Sequence, residues 1–149
     1  MTPYPHTYSV TADASASGVV SVASPGLPAI KTAPPKEFDG PGDVWSPETL
    51  LVAAVADCFI LTFRGVARAA RFEWVSLAAH VDGALDRDAG VTQFVRYVTR
   101  ATLTVQPNSD HAKARDLLER AEKLCLVANS LRGARALEVQ VRETAALTA

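Results

Sequence analysis

Cysteine, long apolar runs and charge of one sign are all scarce in this chain, and each scarcity excludes a class of protein. Only 2 cysteines occur in 149 residues, and neither sits in a Cys-x-x-Cys pair. That is too few for a disulfide scaffold and argues against structural zinc. No apolar run reaches the roughly 20 residues needed to cross a bilayer. The longest, Leu50 to Phe63, is interrupted by Asp57 and reads as a buried helix, so no membrane partner is expected. At the N-terminus Pro3 and Pro5 stand where a secretory leader would carry a basic residue and an apolar stretch, which predicts a cytoplasmic protein. Lys and Arg number 15 against 16 Asp and Glu, without a block of either sign, so no nucleic-acid partner is expected. A Gly-rich phosphate loop, a nucleotide fingerprint and a Ser/His/Asp order are likewise missing. His6, His80 and His111 are scattered without ligand spacing, so no metal and no cofactor is expected.

What is present is one core's worth of apolar sequence. With 48% hydrophobic residues and a length near the modal domain size of roughly 100 to 150, residues 1–149 read as a single domain. Three short strand-like pieces come first, Thr7–Thr11, Gly18–Ala23 and Leu27–Lys31, separated by turn signals and read as an antiparallel meander. The stretch Ala33 to Asp43, dense in Pro and Gly, predicts an ordered loop with no regular element.

A long helix should follow from Ser46 to about Ala70. Ser46 can cap it, Pro47 suits the first helical position and Glu48 complements the positive end of its dipole. Its middle is apolar almost all round, so it needs cover on every side, and a second subunit is the natural source of some of that cover. Alternation then predicts two half-buried strands, Val75–Leu85 and Val95–Val105. From Asp110 to Cys125 the period changes to that of an amphipathic helix, with Ala114, Leu117, Leu118, Ala121, Leu124 and Cys125 in one stripe. A last strand covers Leu137–Val141. Helices set between groups of strands indicate an α+β fold with a mainly antiparallel sheet.

Cys58 lies within the apolar helix and Cys125 ends the stripe of the second. Each alone is well explained as core filler, since free cysteine is among the most buried residue types. Two thiols on the buried sides of two helices also admit a thiol/disulfide cycle.

The surrounding residues resemble the OsmC/Ohr family of osmotically inducible and organic hydroperoxide resistance proteins, over nearly the whole chain. Ser46-Pro47-Glu48 stands ten residues ahead of Ala56-Asp57-Cys58-Phe59, as in the family's Ser/Asn-Pro-Glu segment and its Ala-x-Cys-Phe. Ala121-Glu122-Lys123-Leu124-Cys125 leading to Asn129-Ser130-Leu131 is similar to the family's second cysteine segment. The resemblance implies an OsmC-like fold in an intertwined homodimer. It further implies Cys58 as peroxidatic thiol, Cys125 as resolving thiol and Glu48 as an active-site carboxylate, with an organic hydroperoxide as substrate and an external dithiol as reductant.

The family's peroxidases also set an arginine beside the thiol. The early strands here contain none, and Lys36, in Pro35-Lys36-Glu37-Phe38, is the cation nearest by position. Without a cation, a mid-helix thiol in apolar surroundings is expected to stay mostly protonated. Phe38 and Trp45 are candidate walls of the thiol pocket and equally good core anchors. The leading expectation is a cysteine-based peroxidase. The competing one is a non-catalytic dimer of the same fold that holds a small hydrophobic ligand in its interface pocket.

Overall fold

A computed structural model describes residues 3–145, which divide into two compact units parted between Leu51 and Val52. In the first unit β1 (Thr11–Asp13), β2 (Val20–Ala23) and β3 (Ile30–Thr32) form an antiparallel sheet in the order β1-β2-β3. The meander is as expected, but its first strand begins where the expected one ends. Thr11 pairs with Ala23 and Asp13 with Ser21, whereas residues 7–10 are exposed and belong to no strand, so their alternation had no partner to serve.

The Pro/Gly-rich stretch is not wholly irregular. Lys36–Phe38 winds a single 3-10 turn after Pro35, stopped at Asp39 by a left-handed φ of 58°. Gly40 donates to the Pro35 carbonyl at 3.0 Å, and a Cβ there would run into the Pro34 carbonyl, so the loop closes on itself only because residue 40 has no side chain.

Helix α1 spans Pro47–Ala69. Its start is the one expected: the Thr49 amide donates to Ser46 Oγ at 3.1 Å, and the Ser46 amide donates back to Thr49 Oγ1 at 2.9 Å. At 23 residues with a mean hydropathy of 1.9 over its most apolar window, α1 is longer than its uninterrupted apolar run. By length and composition alone it could span a bilayer. In this fold its Phe59, Phe63, Val66 and Ala67 are instead core residues.

The second unit is built on β4 (Ser76–Asp88), β5 (Val91–Val105) and β6 (Ala134–Glu143), in the order β4-β5-β6. Both long strands outrun their expected ends to meet at the Ala89-Gly90 turn, and a register shift at Ala84/Leu85 breaks the alternation between them. Ala101, Leu103 and Val105 of β5 pack against the α1 core residues and against Ala114, Leu117, Leu118 and Ala121 of α2 (His111–Leu124). Asp110 caps α2, accepting from the Lys113 amide at 2.9 Å.

Sheet pairing is mainly antiparallel, as expected, with β5 and β6 as the parallel exception. The chain from β5 to β6 passes through helical structure, which is the crossover a parallel pair requires. The second helix stops one residue early. Cys125 is extended at φ −62° and ψ 110°, and a separate short helix, α3 (Leu126–Asn129), follows it.

Candidate active site

The break at Cys125 brings the two cysteines together. Cys58 projects from α1 into a cluster with Val55 and Ala56 of its own helix, Tyr97 and Phe94 of β5, and Val127 and Ala128 of α3. Cys125 lies in the same cluster at 1% exposure, and both thiols are free. Thr62, one turn further along α1, places Oγ1 3.9 Å from the Cys58 sulfur. Because α3 starts directly after Cys125, its first amides are not consumed by helix bonds and are free to serve the sulfurs.

Ionisation follows from those neighbours. Burial pushes the Cys58 thiol up, but hydrogen bonds from the Val127 amide, the Cys125 thiol, the Thr62 hydroxyl and the Leu126 amide together hold it below the ordinary thiol value. Cys125 moves the other way. Burial, together with the hydrogen bond and charge of Cys58, pushes it up to about 11 against the pull of the Ala128 and Val127 amides. Amides and hydroxyls of the fold thus lower the Cys58 pKa where no cation was found in the sequence. The pair is divided into a thiol held below the ordinary value and one held above it.

The remaining expected site residues lie in the first unit. Glu48, in the first turn of α1, lines a cleft of about 250 Å³ with Phe38, Val20, Ala33, Pro34 and Pro35. Its Oε2 is buried without a hydrogen-bond partner among the described residues. Lys36 belongs to the 3-10 turn, with its stem laid along Gly42. Trp45 is half exposed, and its carbonyl accepts from the Ala33 amide at 3.0 Å.

Sequence reasoning missed Thr62, whose signal was its i+4 spacing from Cys58. It also missed the Leu126 and Val127 amides, which leave no signal until the helix break is known.

Comparison with known proteins agrees with this architecture. A family model described as OsmC-like protein matches residues 40–140. The chain is 28% identical over 102 residues to the uncharacterized protein YmaD of Bacillus subtilis, covering 66% of this chain and 68% of that one. Among solved structures, an OsmC-like protein of unknown function from Vibrio cholerae aligns at a TM-score of 0.83 and 19% identity, over 91% of this chain and 99% of that one. The organic hydroperoxide resistance protein OsmC from Legionella pneumophila aligns at 0.74 and 23%, over 94% and 99%. At these identities the two solved structures show the fold alone.

Proposed function

The chain belongs to the OsmC-like protein family, and on that premise we propose that it is a thiol-dependent peroxidase reducing organic hydroperoxides through Cys58 and Cys125. One observation carries the reading: two free thiols packed in one apolar cluster, with the Cys58 pKa held down and the Cys125 pKa held up. Core filler has no need of that asymmetry.

In this reading the Cys58 thiolate attacks the distal peroxide oxygen. The S–O bond forms as the O–O bond breaks, and the departing alkoxide takes a proton to leave as the alcohol. Cys125 then attacks the sulfur of the Cys58 sulfenic acid. Its proton joins the departing hydroxide as water and a disulfide remains. An external dithiol restores both thiols by exchange, itself becoming a disulfide. Within the first unit, Glu48 supplies a carboxylate to the apolar cleft that Phe38 also lines, and a cleft of that character favours organic substituents over hydrogen peroxide.

The reading includes a homodimer. In the single chain Leu61, at the middle of α1, is 51% exposed, and a helix this apolar is rarely left uncovered in a soluble protein. Sedimentation is expected to give a species of two chains, and a stable folded species of one 15.8 kDa chain would count against it.

The activity is tested by following loss of cumene hydroperoxide in the presence of a dithiol. Many equivalents should be consumed per chain. If consumption stays at the protein-free rate while cumene alcohol or a similar apolar compound still binds, the competing reading of a hydrophobic-ligand protein takes its place; the apolar cleft beside Glu48 favours that second reading.

A further inference from the structure

Arg135, the second residue of β6, reaches the elbow between α2 and α3 from a strand that belongs to neither helix. Its Nε pairs with Glu122 Oε1 at 3.2 Å, and its Nη1 donates to Asn129 Oδ1 at 2.9 Å. Glu122 precedes the Cys125 vertex by three residues and Asn129 follows it by four, so one guanidinium spans the bend. Asn129 ties the far side back as well: its Nδ2 donates to the Lys123 carbonyl at 3.0 Å and its amide donates to the Cys125 carbonyl at 2.9 Å.

The ion pair is partly buried, Arg135 at 30% and Glu122 at 19% exposure, so solvent screens it less than a surface pair. Both side chains join Cys125, Val55, Phe59 and Tyr97 around a cavity of about 10 Å³, room for roughly one water. Geometry of this kind suits arginine, whose planar fork satisfies two partners at fixed angles where a lysine would reach one.

Deepening the thiol-pair reading on which it rests, we propose that Arg135 is a positioning residue that clamps the α2–α3 elbow across Cys125 and so holds Cys125 and Val127 against Cys58. Tyr97 from β5, Glu122 from α2 and Arg135 from β6 are the titratable side chains that share this cavity with Cys125; Asp57, beside Cys58 on α1, is exposed. The influences that hold Cys58 down are hydrogen bonds rather than the Arg135 charge, so the clamp acts through position.

Its test reads ionisation without turnover: the pH dependence of iodoacetamide alkylation of Cys58 in the native protein, followed by peptide mass mapping. In Arg135→Met the midpoint is expected to rise by about one pH unit, the scale of losing a hydrogen bond to a thiolate. Arg135→Lys should fall between that variant and the parent. Asn129→Ala leaves both charges in place and should shift the midpoint in the same direction. Unchanged midpoints in folded Arg135→Met and Asn129→Ala overturn the clamp. A shift in Arg135→Met with none in Asn129→Ala overturns it too, because the effect would then be borne by charge. Should Arg135→Met fail to fold, Asn129→Ala alone decides. If the expected shifts occur but the parent protein consumes no hydroperoxide, the peroxidase reading falls and the clamp stands.

Discussion

Cys58→Ser is expected to return hydroperoxide consumption to the uncatalysed background, a loss on the order of 10³-fold or more, as removal of a nucleophile generally costs. The substitution is nearly isosteric, so the fold should survive it. What disappears is the one sulfur that the Val127 and Leu126 amides and the Thr62 hydroxyl serve, and a serine hydroxyl does not ionise in their company. Cys125 cannot substitute, because burial, the largest influence on its thiol, pushes it above the ordinary value with or without Cys58. Cys125→Ala should behave differently, consuming about one equivalent and then stalling with sulfenic acid at Cys58, which further peroxide drives up the oxidation ladder. The first turnover should also be slower than in the parent, since the Cys125 hydrogen bond that helps hold the Cys58 pKa down is gone. Stopped-flow peroxide loss with mass analysis of Cys58 checks both variants. Turnover surviving in Cys58→Ser would remove Cys58 from the chemistry.

Phe63→Ala carries the largest expected cost to stability. The ring is fully buried at 0% exposure, in the core shared by α1, α2 and β5, and meets Trp74 edge-on with centroids 5.3 Å apart and planes at 78°. Truncation leaves a cavity among side chains fixed by three elements, for about 3 to 5 kcal/mol, including the aromatic pair. That is a large share of the roughly 5 to 15 kcal/mol by which a domain of this kind is held folded. Urea unfolding at matched protein concentration is the measurement, and a loss below about 1 kcal/mol would mean that α1 does not pack on the sheet as described.

Much of this was legible in the residues. Ser46-Pro47-Glu48 marked the start of α1 to the residue, and the stripe from Ala114 to Ala121 named the buried face of α2. Alternation in residues 75–85 and 95–105 placed β4 and β5, although their ends required the Ala89-Gly90 turn. Pattern failed where pairing rather than periodicity decides: residues 7–10 alternate yet find no neighbour, and nothing in Leu137–Val141 reveals a parallel partner.

It failed again at Cys125, where the apolar stripe runs through Leu124 with no Gly or Pro to mark the break. The break is spanned by contacts of Asn129 and Arg135 with α2, between residues that sequence spacing does not connect. The lowering of the Cys58 pKa escaped the sequence for the same reason. A search for cations overlooks backbone amides, and the amides become free only once α2 has ended.

Counting thiols tests the central claim most directly. Counted after quenching in denaturant, the reduced protein should show two thiols per chain, and none once the native protein has been briefly exposed to one equivalent of cumene hydroperoxide per chain. Peptide mapping should then show a Cys58–Cys125 bond within one chain and no covalent dimer. If both thiols remain unmodified until the protein is denatured, or oxidise slowly and equally without an intramolecular bond, Cys58 and Cys125 are buried apolar residues and the account is wrong.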